Sequence, residues 1–205
     1  MKKVAIFYRT SDNQEVIMYL KNTLENIFEN YIIVDNYYLT DLDTNKKIEA
    51  DAYILTDETM LYPLKDCIIS YNNIIIMYRS LKKKHLEKVS KIPNNTDVLV
   101  VNDTYKTSVE TLCSLYELGM NHINLLPFDP KDPKNPIYKD YKVCITQNEM
   151  HLVPNHIQQV INIGYREISF DTLLRLMMRL NLNFELTNRN LVRHIRSIAE
   201  PDIYM

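Results

Sequence analysis

Short apolar runs rich in β-branched residues alternate along the chain with longer stretches whose apolar residues recur every three or four positions, and polar residues mark most of the changes of period. Runs of the first kind suit strands buried on both faces, and stretches of the second kind suit amphipathic helices. Strands are predicted at Lys3–Tyr8 (KVAIFY), Tyr31–Asp35 (YIIVD), Ala52–Thr56 (AYILT), Asn73–Tyr78 (NIIIMY) and Asp97–Val101 (DVLVV). A helix from about Gln14 to Glu29, capped by Ser11 or Asp12, carries Val16, Ile17, Leu20, Leu24, Ile27 and Phe28 as its apolar stripe. Further helices are predicted near Leu64 to Ser70 and from Leu81 to Ile92, the latter with Leu81, His85, Val89 and Ile92 on its inner side.

The clearest local grammar runs from Asp97 to Phe128. After the strand, Thr107 with Glu110 fits a capping box, and Val109, Leu112, Cys113 and Tyr116 share one helical face. Gly119 ends that helix as a left-handed cap, and His122 to Leu126 returns as a strand stopped by Pro127. The segment is thus a βαβ unit. The next stretch, DPKDPKNPIYKD, holds Pro130, Pro133 and Pro136 and reads as a stiff connection and hinge. Strands follow at Lys142–Thr146 and Val160–Ile163, the latter ending at Gly164. A helix from Ser169 or Asp171 to about Leu180 buries Phe170, Leu173, Leu174 and Met177, and a last helix, Asn188 to Ala199, aligns Leu191, Ile195 and Ile198.

This alternation predicts an α/β fold with parallel sheets: a flavodoxin-like or Rossmann-like lobe over residues 1–125, a second, smaller α/β lobe over 126–182, and a connector helix over 183–205. No internal sequence repeat is visible, although the two halves could be similar folds. With 205 residues, 46% of them hydrophobic, the chain can bury one large core or two small ones. A net charge of -2 offers no electrostatic footprint for nucleic acid. No run reaches the roughly 18 apolar residues that a bilayer span needs. The start MKKVAIFYR turns polar too soon for a secretory signal, so a cytoplasmic protein without a membrane partner is expected. Cys67, Cys113 and Cys144 are far apart in apolar segments and read as reduced core thiols. Two glycines, Gly119 and Gly164, are too few for a dinucleotide-binding loop or a P-loop.

Open parallel sheets bind ligands beyond the carboxyl ends of their strands. The rule gathers Thr10, Ser11, Asp57, Arg79, Ser80, Asn102, Thr104, Thr107 and Arg166 as candidate ligand-binding residues, within a wider strand-end set that includes Thr56, Thr146, Gln147 and Tyr165. Arg79 and Arg166 are the choices for a bidentate carboxylate contact. Helix capping explains each Ser and Thr singly, without excluding a ligand crevice. Asp57, after a buried strand, invites comparison with the phosphoacceptor of response-regulator receivers, with Lys106 in the place of their lysine. Arg9 and Thr10 stand where a receiver needs the acidic pair that holds magnesium, which argues against phosphotransfer. The five histidines lack ligand spacing, and no nucleophile stands at readable spacing from a base. No metal, cofactor or catalytic residue is therefore assigned.

The blocks VLVVNDTYKTSVETLCSLYELGMNHINLLPFDP, KVCIT and LVPNHIQQVINIGYREISFDTLLRLMMRL, covering roughly Val98 to Leu180, resemble the N-terminal sensory region of clostridial sigma-54-dependent transcriptional regulators. The helix end ELGMNHINLLPF and the passage from LVP to NIGYR are its local phrases, and no ligand residue is carried over with them. The resemblance implies a non-catalytic module that senses a small-molecule effector and passes the signal to downstream PAS and AAA+ domains through the last helix, with no direct contact to nucleic acid and with room for a homodimer. An effector entering a cleft between two α/β lobes would shift that helix. Two other readings stay open: a degenerate receiver-like interaction domain, and a small α/β enzyme of unknown reaction.

Overall fold

The computed structural model describes residues 1–43, 45–182 and 189–199. They divide into two compact units, one made of Met1–Arg79 with Glu167–Arg196 and one built on Ser80–Arg166.

Unit 1 begins with β1 (Lys2–Tyr8), α1 (Gln14–Phe28), β2 (Ile32–Tyr38), β3 (Ala52–Leu55), α2 (Leu61–Leu64) and β4 (Ile74–Ile76). Its four strands form a parallel sheet in the order β2-β1-β3-β4. Period-two alternation along β1 sends successive side chains to opposite faces. Val4, Ile6 and Tyr8 pack with Ile17, Leu20, Leu24, Ile27 and Phe28 of α1. Ala5 and Phe7 join Tyr53, Leu55, Met60, Leu64 and Cys67 on the other side, and the Phe7 and Tyr37 rings stack with centroids 5.4 Å apart. A strand buried on both faces needs apolar residues at every position, which is why KVAIFY reads as a continuous run.

The chain leaves unit 1 through β5 (Arg79–Ser80) and forms β6 (Asp97–Val101), α3 (Tyr105–Glu117), β7 (Asn124–Pro127), β8 (Val143–Thr146) and β9 (Gln159–Asn162). The second sheet is also parallel, in the order β7-β6-β8-β9. Val98, Val100, Ile145 and Ile161 face one cluster with Leu115, Leu86, Val89 and Ile92. Leu99, Val101 and Cys144 face the other with Phe128 and Tyr138. The chain then continues as β10 (Glu167–Ile168), α4 (Phe170–Leu180) and α5 (Arg189–Ala199). Ile168, Leu173, Leu176, Met177, Leu180 and Leu191 complete the core that α1 began in unit 1.

The parallel α/β class is as expected, and the strand order of one sheet repeats that of the other. The divisions at 125/126 and 182/183 are corrected. A cut after residue 125 would pass through β7, whose Leu125 and Leu126 pair with Val98 and Leu99 of β6. The helix expected in the second lobe, α4, belongs to unit 1 because its apolar face packs with α1 and β1. Of the expected connector 183–205, residues 183–188 and 200–205 lie outside the described residues, and Leu191 of α5 is fully buried in the core of unit 1.

Several local expectations change with the packing. Asn13, not Ser11 or Asp12, caps α1, its side chain accepting from the Val16 backbone N–H at 3.2 Å. The predicted helix over 81–92 is a short 3-10 stretch, Lys83–Glu87, followed by turns in which Val89 and Ile92 are buried. The helix near 64–70 is α2, ending at Leu64. Helix α3 buries Ser108, Thr111 and Leu115, leaving Cys113 and Tyr116 exposed; Cys67 and Cys144 are buried. In α4, Phe170 and Leu174 are 42% and 37% exposed, and Thr172, Leu173, Leu176, Met177 and Leu180 face inward. Gly119 does take the expected left-handed conformation, with φ +86°. No helix among the described residues is long and apolar enough to cross a membrane.

Candidate functional site

In each sheet the connections run outward in opposite directions from two neighbouring central strands, β1 and β3 in unit 1 and β6 and β8 in unit 2. Loops at the carboxyl ends of such strand pairs diverge and leave a crevice, which is where ligands of open α/β sheets bind.

In unit 1 the loops after β1 and β3 bring Arg9 to Asp57 and Thr59. Arg9 Nη2 lies 3.6 Å from Asp57 Oδ2 and donates to the Thr59 hydroxyl. Asp57 Oδ1 accepts from the Thr59 backbone N–H at 2.7 Å and from its hydroxyl at 2.6 Å. The Arg9 side chain is 57% exposed, so this ion pair sits in water and adds little to stability. Thr10 is exposed and Ser11 half-buried, the Ser11 carbonyl accepting from Gln14 Nε2 at 2.8 Å. Arg79 and Ser80 are half-buried in β5. Beside these loops the Tyr8 phenol is buried and its pKa is pushed up, chiefly by loss of water and secondly by Tyr38.

In unit 2 the arrangement is more deeply buried. Asn102, directly after β6 and 5% exposed, donates from Nδ2 to Gln147 Oε1 at 2.9 Å and to Thr111 Oγ1 at 3.1 Å. Its Oδ1 accepts from the Asp103 backbone N–H at 3.1 Å. The side chains of the two central strand ends are thereby joined to the first turns of α3. Thr104 caps that helix: its Oγ1 accepts from the Thr107 N–H at 3.1 Å, while Thr107 Oγ1 accepts from the Thr104 N–H at 3.0 Å and donates to Asp103 Oδ1. The capping box is therefore Thr104 with Thr107, three residues before the expected Thr107 with Glu110.

Beyond β9, Asn162 Oδ1 accepts from the Gly164 N–H at 2.8 Å and from the Asn148 N–H at 3.1 Å. Gly164 has φ +64°, and a Cβ there would meet His85 Cε1 at 3.0 Å. A glycine is needed both for the bend and for the close approach of the His85 ring, whose Nδ1 donates to the Ile163 carbonyl at 2.6 Å. Past this bend Arg166, 7% exposed, donates from Nη1 to Glu110 Oε2 of α3 at 3.0 Å. The expected bidentate carboxylate grip is thus half occupied by the protein's own Glu110.

Four buried polar atoms of this unit have no partner among the described residues: Gln147 Nε2, Arg166 Nε, Ser108 Oγ and, beyond the far end of α3, His122 Nε2. An unsatisfied buried donor costs about 1–3 kcal/mol, so a group of them calls for a physical cause. Glu149, at the same strand end, has its carboxyl pKa raised, first by burial and then by Asp103, with His151 opposing. Among the described residues no group of three or more His, Cys, Asp or Glu side chains could hold a metal ion. A recess of about 350 Å³ lined by Met1, Lys2, Asn30, Tyr31, Asp51 and Leu182 lies by the amino end of β1, the opposite end of that strand from the unit 1 loops.

The strand-end residues are thus divided between the units: Thr10, Ser11, Asp57 and Arg79 with unit 1; Ser80, Asn102, Thr104, Thr107 and Arg166 with unit 2. Gln147, which directly follows β8, belongs to the wider strand-end set that the sequence offers. Ser108, Glu110 and Thr111 belong to a helix whose cap lies three residues earlier than the Thr107–Glu110 pattern suggests, and Arg9 meets Thr59 across two strand-end loops 50 residues apart. No protein-family model, no curated protein and no solved structure matches this chain.

Proposed function

We propose that this chain is a non-catalytic, cytoplasmic sensory module that binds a small-molecule effector at strand carboxyl ends, as part of a sigma-54-dependent transcriptional regulator. The observation that carries the reading is the buried Asn102–Gln147 pair at the β6/β8 switch point, because it joins two strand ends to the start of α3 and leaves the Gln147 amide nitrogen free to donate. Side chains so placed suit recognition of a polar ligand. The resemblance of residues 98–180 to clostridial regulators supports the same reading and names the recipients of the signal, PAS and AAA+ domains. Helix α5 is the proposed output element.

Thermal melting against a library of amino acids, small carboxylates and nucleotides tests the proposal. A ligand of the folded state stabilises it by RT ln(1 + [L]/Kd), about 2.7 kcal/mol at a hundredfold excess over Kd. Saturable stabilisation by one compound that is recovered chemically unchanged is expected, with the effect weakened in Asn102→Ala. A flat response across the library would replace the sensor by an interaction domain, and consumption of the stabilising compound would replace it by an enzyme.

A further inference from the structure

Helix α4 carries two apolar lines, and the fold of unit 1 covers only one of them. Leu173, Leu176, Met177 and Leu180 lie in the core. Phe170, Leu174 and Met178, each four residues from the next, form a second line on the outside and are 42%, 37% and 72% exposed. Residues four apart are neighbours on a helix surface, so the three side chains make one continuous patch. Beside it, one position on, run Asp171, Arg175 and Arg179, all exposed. Single apolar residues on a surface need no cause. An aromatic ring, a leucine and a methionine in line beside two arginines have the composition of a protein interface, where aromatic residues, Met and Arg are enriched.

The order of the charges selects the occupant. Asp171 accepts from Arg175 Nε of its own helix at 2.7 Å, whereas Arg179 has no carboxylate partner among the described residues. A second copy of α4 laid antiparallel about a twofold axis at Leu174 sets Leu174 on its own counterpart and Phe170 of each copy on Met178 of the other. The same axis keeps both charged lines on one side of the contact. With a rise of about 1.5 Å per residue, Asp171 then stands level with the midpoint between Arg175 and Arg179 of the second copy. The antiparallel contact thus supplies Arg179 with a carboxylate and opposes the two helix dipoles, while a parallel one would set arginine on arginine twice. We propose that the outer face of α4 is a self-association surface, along which two copies of this chain pair antiparallel through Phe170, Leu174 and Met178. Three side chains fall short of the roughly 800 Å² per partner of a standard interface, so the dimer forms only at high protein concentration. The contact involves no effector and is independent of the sensor reading.

Disulfide trapping in the intact chain reads the geometry. The exposed Cys113 is first replaced by serine, and Phe170→Cys, Leu174→Cys or Met178→Cys is then introduced. These three positions are exposed, so the variants keep the fold, which unchanged melting curves check. Under mild oxidation Leu174→Cys should cross-link to itself rapidly, while Phe170→Cys and Met178→Cys should cross-link slowly alone and rapidly when mixed. Sedimentation of the unaltered protein over a concentration series should show a monomer–dimer equilibrium, weakened about tenfold by Leu174→Ala. A monomer at every concentration would overturn the proposal, and so would a dimer whose Leu174→Cys form stays uncross-linked, since the contact would then lie on another face. Trapping of Phe170→Cys as fast alone as in the mixture would overturn the antiparallel arrangement. Monomeric protein that pellets with phosphatidylserine vesicles, and fails to do so after Leu174→Glu, would assign the face to a lipid surface instead.

Discussion

Glu149 illustrates how far one residue's chemistry departs from its sequence context. It ends a polar tripeptide, QNE, that reads as a solvated loop, yet it is 9% exposed and its backbone N–H donates to Thr146 Oγ1 at 3.2 Å. Burial disfavours its charged form and Asp103 adds to the effect, so the carboxyl pKa lies above its ordinary 4.5 in the folded chain. A group with a raised folded pKa binds its proton more tightly when folded. Its stabilising contribution is full below the ordinary value and is lost as pH rises through the raised value. Glu149→Gln removes this dependence: the variant should melt above the unaltered protein at neutral pH, with the gap closing as the pH falls through the carboxyl range. Melting curves across that range check it, and a Glu149→Gln variant less stable at neutral pH would show that the carboxylate is instead stabilised by a cation. Cys113 makes the opposite point, as a thiol in an apolar segment that the helix turns outward.

At the scale of elements, the existence of strands was legible and the facing of helices was only partly so. The α3 region offers two overlapping capping patterns, Thr104 to Thr107 and Thr107 to Glu110. Glu110 made the second more attractive as sequence, because Glu is the usual partner of a capping threonine. The first prevails because Asp103 accepts from Thr107 Oγ1 and Asn102 reaches the helix from the end of β6. Thr104→Ala should therefore lower stability by about 1 kcal/mol, with Thr104→Ser recovering most of it, as measured by urea unfolding. An unchanged midpoint in Thr104→Ala would mean that the helix starts elsewhere. Helix α4 turned for a related reason. Thr172 Oγ1 accepts from the Tyr78 N–H at 2.8 Å and donates to the Tyr78 carbonyl at 3.2 Å, so a polar residue is buried at no hydrogen-bonding loss, and Phe170 and Leu174 are left outside. Apolar periodicity cannot register a buried threonine whose partner lies 94 residues away.

At the scale of the whole molecule, unit 1 is completed by the far end of the chain. Ile168, Leu173, Leu176, Met177, Leu180 and Leu191 all lie in its core. Burying each such side chain contributes roughly 1.5–3 kcal/mol, so their loss would remove an amount comparable with the net stability of a domain, about 5–15 kcal/mol. A chain stopped after Arg166 should thus lose hydrogen-exchange protection in β1 to β4 while keeping it in β6 to β9, whose sheet is whole. Protection of β1 to β4 unchanged by the truncation would show that this core does not depend on α4 and α5. A similar tie joins α1, β10 and α5: Tyr19 donates to Glu167, and His194 Nε2 donates to the Ile168 carbonyl at 2.7 Å.

The sequence by itself determined that the strands are apolar throughout and hence covered on both faces, that a parallel α/β fold follows from their alternation with helices, and that polar residues collect where strands end. Those properties depend on neighbours a few positions apart, which periodicity records. Tertiary structure alone decided that β7 stays with β6, that α4 returns to unit 1, that Cys113 faces outward, that Asn102 bonds to Gln147, and that Arg166 bonds to Glu110. Each of these depends on a partner remote in sequence, such as Gln147, 45 residues from Asn102, or Glu110, 56 residues from Arg166. The preference of a buried donor for an acceptor leaves no periodic trace in the chain that carries it.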